Sequence, residues 1–177
     1  QAQNRAGKRD AAFGRLLSAL MRTHRNFDIG DEQIISEIGQ AKNGRFQIGK
    51  MAYRVVVVPQ ALTIRASTLA LLKAFAAQGG AVLVAEEYPA LVDGEENSPH
   101  IAALKNCAPL VKGDGWLDAL NQKAPPAFTV SGEKNEEIWT HLRTLKNGAA
   151  IQLSNTSRLQ DRTLALQVKD RDAAISL

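Results

Sequence analysis

The hydrophobic pattern between residues 10 and 24 predicts an amphipathic helix. Its apolar positions recur every three or four residues and form one stripe: Phe13, Leu16, Leu17, Leu20, Met21 and His24. His24 continues this stripe, so we expect it to be a packed, hydrogen-bonded side chain. Asp31 is placed to cap a second, short helix over Glu32–Ile38, which ends at Gly39.

Two apolar runs follow, at 53–58, where Arg54 precedes four valines, and at 81–85, with a helical pattern between them. Strands with no polar side are typical of parallel sheets, in which both faces are covered, so the valine-rich run is predicted to be a central strand. Ser67 and Thr68 open the intervening helix, and Gly79 with Gly80 ends it. Strand, helix and strand over about 30 residues predict a βαβ unit with a right-handed crossover.

The rest of the chain continues this α/β pattern and then changes. Short helices are predicted near 100–106 and 115–121, with a small strand at 109–111 between them. Beyond Pro125 the pattern is that of β-strands separated by turns. These predicted strands are 128–130, 138–142, 149–153 and 163–168.

The predicted fold class is therefore α/β, a parallel sheet flanked by helices and followed by a small antiparallel β segment. The predicted domains are 1–125, the α/β domain, and 126–177, a β-rich segment that forms part of a truncated β-sandwich. The sequence starts with Gln1 and ends on an apolar residue, which favours a segment of a longer protein.

Composition excludes several classes of protein. Hydrophobic residues make up 45% and charged residues 23% of the 177, which is typical of a globular domain and not of a disordered one. No apolar run approaches the roughly 20 residues that a membrane span needs. Cys107 is the single cysteine, which excludes an intrachain disulfide and a multi-cysteine zinc site.

The net charge of +4 is concentrated near the start of the chain. Residues 1–25 carry six arginine and lysine side chains against one aspartate, and the remainder is close to neutral. A nucleic-acid-binding domain would spread its basic residues over a whole surface, so no nucleic-acid partner is predicted. The basic face of the first helix (Arg15, Arg22 and Arg25) is instead a candidate contact surface, against the alternative of a merely solvated face.

Polar side chains lie where the two apolar strands end. Gln60 follows the first strand, and Glu86, Glu87 and Tyr88 follow the second. Ligands of open α/β sheets bind at the carboxyl ends of the strands, so these four residues are the candidate ligand-binding set. Adjacent residues of an extended chain point in opposite directions, so the two glutamates are not expected to form a catalytic pair. Ordinary solvated loop acids are the alternative.

Other motifs give weaker signals. The segment 44–50 imitates a phosphate-binding loop, but Met51 stands where a serine or threonine is required and a strand follows instead of a helix. A hairpin bounded by glycines explains it better. The histidines lack paired ligand spacing, so no metal or other cofactor is predicted. Cys107 is expected to be a buried, unreactive thiol.

Several stretches resemble one family: NFDIGDE at 26–32, GRFQIG at 44–49, YRVVVVP at 53–59 and the helix that ends at Gly79. They are similar to the glutamine-amidotransferase-like domain of large bacterial glycoside hydrolases. The nearest types are α-L-rhamnosidases and β-galactosidases with a trimerisation domain. IWTHLR at 138–143 and IQLSNTS at 151–157 look like the β-rich segment that follows this domain.

The resemblance implies a flavodoxin-like fold and a parent enzyme whose glycosidase carboxylates lie on another domain. True amidotransferases carry a cysteine in the turn where this chain has Glu86 and Glu87, so no catalytic residue is expected here. The family's first strand, before the helix at 10–24, is also missing. The resemblance favours a periplasmic or extracellular location over a cytoplasmic one.

Two functions remain open at this point. The first is a non-catalytic structural or interaction domain, whose partners are neighbouring domains of the same polypeptide and further copies of itself. The second is a carbohydrate-binding module that uses Gln60, Glu86, Glu87 and Tyr88. Sugar-binding sites usually stack an apolar sugar face on aromatic rings, and these four residues include only one such ring.

Overall fold

The structure is a computed structural model that describes residues 2–96, 99–157 and 163–168. Its α-helices are α1 (Ala2–Arg22), α2 (Glu32–Ile38), α3 (Ala66–Ala77), α4 (Pro99–Cys107) and α5 (Gly115–Lys123). Its strands are β1 (Gly39–Lys42), β2 (Arg45–Ile48), β3 (Met51–Tyr53), β4 (Val55–Val58), β5 (Thr63–Ile64), β6 (Ala81–Ala85), β7 (Leu91–Val92), β8 (Glu95–Glu96), β9 (Leu110–Val111), β10 (Phe128–Ser131), β11 (Ile138–Leu145), β12 (Gly148–Asn155) and β13 (Ala165–Val168).

The contacts within the chain define two compact units. One unit comprises Gln1–Phe13 with Ile29–Pro125, and the other comprises Gly14–Asp28 with Pro126–Leu177. The second unit therefore combines the end of α1 with the strands β10 to β13. The assignment of 1–125 and 126–177 as domains stays a prediction.

The mixed α/β fold class is confirmed by a parallel sheet in the first unit. Its strand order is β4-β6-β9, and Val55 to Val58 pair in register with Ala81 to Val84. The helix α3 forms the predicted connection between β4 and β6, and α3 and α5 both contact β6. Small antiparallel sheets accompany this parallel sheet, as predicted.

The valine strand is not central, which corrects the prediction. Among the described residues, β4 has a hydrogen-bonded neighbour on one side only, and the middle strand is β6. Val82 to Ala85 are all buried, whereas Val55 to Val57 are half-buried. An apolar run indicates that both faces of a strand are covered. It does not indicate whether one or two neighbouring strands pair with that strand.

Phe75 anchors the packing of α3 on this sheet. Its ring is fully buried and meets Phe46 of β2 edge to face, with centroids 5.7 Å apart. Gly79 ends the helix in a left-handed conformation (φ 86°), and the Gly80 amide donates to the Phe75 carbonyl at 3.0 Å. This confirms the predicted glycine stop, a C-terminal cap that favours glycine.

The start of α3 differs from the prediction. Ser67 and Thr68 lie inside the first turn, and Arg65 holds the capping position without a side-chain bond. The Asp93 carboxylate caps the helix instead, since its Oδ1 accepts from the Ala66 amide at 3.2 Å. Asp93 and Gly94 both have positive φ and form the two-residue turn between β7 and β8.

The prediction of α2 is confirmed in its bounds, Glu32–Ile38, and in both capping residues. Oδ1 of Asp31 accepts from the amides of Gln33 at 2.8 Å and Ile34 at 3.0 Å, and the Gly39 amide donates back to the Ile35 carbonyl. Downstream, β1, β2 and β3 form an antiparallel meander. The segment 44–50, which matches part of the phosphate-binding-loop motif, is thus a hairpin with glycine turns, as expected. The strand predicted at 53–58 is divided between β3 and β4.

The helix α1 begins at Ala2 and ends at Arg22, so it starts earlier and ends sooner than the predicted 10–24. Its end is set by His24, which adopts φ 56°. The amides of His24 and Arg25 donate to the carbonyls of Met21 at 3.1 Å and Leu20 at 3.3 Å. This pair of hydrogen bonds closes a helix when the residue after its last turn, here His24, adopts a left-handed conformation. Glycine usually holds that position.

His24 is buried and hydrogen-bonded, as the stripe predicted. Only 8% of its surface is exposed, and its ring Nε2 lies 3.0 Å from the Asn135 carbonyl oxygen. Both residues belong to the second unit. The left-handed backbone at His24 therefore directs the ring towards the short 3₁₀ helix Asn135–Glu137.

The strands of the second unit form two antiparallel pairs, β10 with β13 and β11 with β12. The β11–β12 hairpin is eight residues long on each side and turns at Lys146 and Asn147. Asn26 bonds to the edge of β11 that faces away from β12, where Nδ2 donates to the Leu142 carbonyl at 2.5 Å and Oδ1 accepts from the Leu142 amide at 2.9 Å. One side-chain amide thus takes the place of a neighbouring strand.

We predict that Gly80→Ala destabilises the first unit more than Gly79→Ala does. A Cβ atom at Gly80 would overlap the buried Phe75 ring, an overpacking cost of about 2–3 kcal/mol. A Cβ atom at Gly79 meets nothing within 4 Å and costs only the left-handed backbone strain, about 1 kcal/mol. Urea unfolding followed by fluorescence of the buried Trp116 measures both. Equal losses for the two variants would contradict this account of Phe75.

We predict that Asn26→Ala lowers the stability of the second unit by about 1–2 kcal/mol, because Leu142 loses both partners. Asn26→Asp is the control, since it keeps the acceptor for the Leu142 amide but places a second oxygen against the Leu142 carbonyl. It should not restore stability. Hydrogen exchange at the Leu142 amide measures the effect, and unchanged protection in the alanine variant would contradict it.

Candidate functional site

The topology places the candidate ligand-binding residues at one edge of the parallel sheet. Gln60 lies two residues beyond β4, Glu86 directly follows β6, and Gly113 lies two residues beyond β9. The three strands are parallel neighbours, so their carboxyl ends meet at this edge. We call Gln60, Glu86, Glu87 and Tyr88 the rim.

Glu86 links two strand ends. Its amide donates to the Val111 carbonyl at 2.9 Å, and its Oε1 accepts from the Gly113 amide at 3.0 Å. The residue is half-buried and adopts φ 68°, a left-handed conformation that is uncommon outside glycine. The carboxylate therefore holds the loop after β9 against the end of β6.

Tyr88 is also engaged within the fold. Its hydroxyl donates to the Ala108 carbonyl at 2.8 Å, and the ring packs against the core. The Nζ atom of Lys105 lies 5.6 Å from the ring centroid, within cation–π range. The one aromatic ring of the rim is thus half-buried and has a cation near it, which reduces the surface that it offers to a sugar.

Glu87 is the exposed acid of the rim. Its amide donates to the Ala85 carbonyl at 2.9 Å in a tight turn, and its carboxylate faces solvent. Gln60 is half-buried, and no hydrogen bond joins it to the other rim residues. The fold brings the four residues to one edge without connecting them into a single polar cluster. Ligand binding at the rim stays a prediction.

The three arginines of the predicted contact surface differ in exposure and in their backbone setting. Arg15 and Arg22 are exposed and lie seven residues apart on α1, which places them on one face of the helix. Arg25 lies beyond the left-handed His24, is half-buried, and has its guanidinium pKa lowered by desolvation. A role for the three as a contact surface stays a prediction, with Arg25 set apart from the helical pair.

The remaining candidate groups show no catalytic arrangement. Cys107 is half-buried at the end of α4, more exposed than expected, and its Sγ lies 3.6 Å from the Leu104 carbonyl oxygen. Within the described residues, no three histidine, cysteine or acidic side chains are grouped as metal ligands. Nor does any helix of that part of the chain have the length and hydrophobicity to cross a membrane.

A groove between α3 and α4 was not predicted from the sequence. It has a volume of about 510 Å³ and is lined by Lys73, Ala76, Ala77, Gly80, Ala103, Asn106 and Cys107. Gly80 immediately precedes β6, so the groove lies at the amino end of that strand, whereas the rim lies at its carboxyl end. Alanine at spacings of three or four along a helix is the sequence signal of such a shallow surface, but it is equally typical of close helix packing.

Exposed isoleucines on α2 were also missed. Ile35 points into the core, while Ile34 and Ile38 are 49% and 50% exposed. Ile29 and Met51 in the same unit are 65% and 55% exposed. A short helix with three isoleucines on two faces cannot bury all of them against one sheet. This distribution in the sequence could have predicted the exposed isoleucines.

No family model and no curated protein matches the sequence. One solved structure has a similar fold, the apo exo-carrageenase GH42 from Bacteroides ovatus. The TM-score is 0.58 at 12% sequence identity, and the match covers 88% of this chain but only 22% of that enzyme. At this identity the likeness establishes a common fold with one part of a larger chain.

We predict that the Glu86 side chain stabilises the folded state of the first unit. Glu86→Ala should lower the free energy of unfolding by about 1 kcal/mol or more, because the Gly113 amide loses its acceptor. Glu86→Gly loses the same bond but removes the left-handed strain, so it should be about 1 kcal/mol more stable than the alanine variant. Glu86→Gln, which keeps an acceptor, should lose least. Urea unfolding gives this order, and an alanine variant as stable as the parent would contradict it.

Proposed function

We propose that this chain is a non-catalytic domain of a multidomain glycoside hydrolase. The observation that carries the proposal is the match to the exo-carrageenase, which spans nearly the whole of this chain and about a fifth of that enzyme. The contacts of the rim support the non-catalytic role. The Glu86 carboxylate accepts from the Gly113 amide, the Tyr88 hydroxyl donates to the Ala108 carbonyl, and Glu87 is exposed to solvent.

We further propose that the first unit is of the amidotransferase-like, flavodoxin-like type found in α-L-rhamnosidases and trimeric β-galactosidases. The turn after β6 supports this. Amidotransferases of this type carry their cysteine in a tight turn after a parallel strand, and Glu86 has a left-handed backbone in that position. Glutamate there is bonded to Gly113 and is not a nucleophile towards an amide, so amidotransferase activity is not part of the proposal.

The proposed role is packing against neighbouring domains of the same polypeptide or against further copies of the protein. Exposed apolar side chains in the first unit support it, since Ile34 and Ile38 lie one turn apart on α2 and leave about half of each side chain in water. Contiguous exposed apolar groups mark contact surfaces. The exposed Arg15 and Arg22 of the second unit offer charged contacts to a partner of that unit.

The carbohydrate-binding alternative at the rim has less support. A sugar would meet only Gln60 and Glu87 as available polar groups, because the Tyr88 hydroxyl is donated to Ala108 and Glu86 is bonded to Gly113. No exposed aromatic side chain belongs to the rim.

The proposal is tested by catalysis and by binding of neutral sugars. We expect no turnover of nitrophenyl glycosides above the buffer rate. By titration calorimetry with neutral rhamnosides or galactosides, we expect no heat of binding that the combined Gln60→Ala and Glu87→Ala variant abolishes. Turnover that is lost in Glu86→Gln or Glu87→Gln would overturn the non-catalytic role. Micromolar binding that is lost in Gln60→Ala with Glu87→Ala would favour the rim as a sugar site instead.

A further inference from the structure

The register of the β11–β12 hairpin separates its side chains into two unlike faces. One face combines four residues of β11 with the four that they pair with on β12: Trp139, His141, Arg143, Leu145, Ser154, Gln152, Ala150 and Gly148. We call this the Trp139 face. The opposite face carries four aliphatic side chains (Ile138, Leu142, Leu153 and Ile151) together with Thr140, Thr144, Ala149 and Asn155, of which the last three are exposed.

The two faces differ in exposure. Trp139 is 47% and Leu145 is 52% exposed, and His141, Arg143 and Gln152 are exposed as well. On the opposite face Ile138 is buried, and the neighbouring leucines and isoleucine are half-buried. The packed side of the hairpin is therefore the aliphatic one, and the Trp139 face points to solvent.

The composition of the Trp139 face does not suit the interior of a β-sandwich. An inner sandwich face consists of the inward-pointing apolar residues of each strand. This face has Leu145, Ala150 and Gly148 towards the turn, but its other positions hold an indole, an imidazole, a guanidinium, an amide and a hydroxyl. Burial of these groups against a second sheet would leave most of them without hydrogen-bond partners, which is costly. An occupant that is itself polar and hydrated fits them better.

We propose that the Trp139 face binds an anionic glycan, a sugar chain that bears sulfate or carboxylate groups. A half-exposed indole offers a flat apolar surface on which the C–H face of a sugar ring stacks. Gln152 and His141, a directly opposed pair, supply donors and acceptors for sugar hydroxyls. Arg143, two positions further along β11, pairs with a sulfate or carboxylate through parallel N–H bonds.

The charge of the hairpin supports an anionic ligand. Neither β11 nor β12 contains an aspartate or a glutamate, and Arg143 is the one residue of the two strands with a full positive charge. Lys146 in the turn adds a second cation beyond Leu145. An anion approaching this strip therefore meets no like charge from the strands themselves.

The spacing favours an extended chain over a single sugar. Trp139 and Arg143 are four residues apart on one strand, which separates them by roughly 13 Å along β11. A ligand that contacts both must be longer than one ring. Two cations are too few for the multiple phosphate contacts on which nucleic-acid affinity depends. The choice of a glycan over other flat, anionic ligands rests on the function proposed above.

The experiment is titration of the 177-residue chain with a sulfated galactan oligosaccharide, its desulfated counterpart and a uronic-acid oligosaccharide. We expect the sulfated or uronic-acid ligand to bind at least tenfold more tightly than the neutral one, and more weakly as salt increases. Trp139→Ala should weaken all binding tenfold or more. Arg143→Gln should remove the preference for the anionic ligand while weak binding of the neutral one persists.

Controls keep the test specific. Thr144→Ala, an exposed change on the opposite face of the same strand, should leave affinity unchanged. Trp139→Phe keeps a stacking ring and should retain part of the affinity, which separates loss of stacking from loss of folding. Fluorescence of Trp139 should change on binding, while Trp116, which is buried in the other unit, should not respond.

The proposal is overturned if none of the oligosaccharides binds, if Trp139→Ala binds as tightly as the parent, or if a single-stranded oligonucleotide binds more tightly than every glycan. These results would leave the proposed non-catalytic role intact, because that role fails on turnover or on rim-dependent binding of neutral sugars. The two proposals therefore fail on different measurements.

Discussion

Burial of β6 on both faces is the constraint on which the first unit depends. Its neighbours β4 and β9 satisfy its backbone on both edges, and Val82 to Ala85 have almost no exposed surface. Such a strand is stable only when helices cover both faces, and α3 and α5 both contact it. The fully buried Phe75 ring fixes α3 in place, and the absence of a side chain at Gly80 makes room for that ring. Because the helix, the glycine stop and the next strand follow one another directly, this packing also fixes the direction of β6 and the position of its carboxyl end.

The carboxyl end of β6 shows how a favourable position can be used for structure instead of chemistry. This edge is where α/β sheets usually bind ligands. Here the left-handed Glu86 directs its carboxylate to the Gly113 amide, and Tyr88 turns its hydroxyl to the end of α4. Both groups hold the loops that a ligand would otherwise contact. A domain with this edge closed by its own side chains suits contact with other domains, which is the role proposed from its likeness to a small part of a larger enzyme.

The second unit is built differently, since its described strands form two antiparallel pairs, and the longer pair, β11 with β12, has eight residues in each strand. Asn26 closes one edge of the hairpin with a pair of bonds to Leu142, and the aliphatic face packs. The other face keeps Trp139 in water beside polar side chains. The glycan contact proposed for this face would add a ligand surface to the packing role proposed for the first unit.

The sequence by itself determined the elements whose causes are local. Asp31 and Gly39 bound α2, Gly79 ends α3, and the apolar runs become parallel neighbours, because caps, glycine conformations and hydrophobic patterns act within a few residues. Tertiary structure alone decided which strand is central, since an apolar pattern does not reveal edge pairing. It also decided that the side chains of Glu86 and Tyr88 form hydrogen bonds within the fold, because their partners are 20 or more residues away in the sequence. Successive residues of a strand lie on opposite faces, so Trp139 and Ile138 had to separate, but only the tertiary structure decided that Ile138 is the buried one.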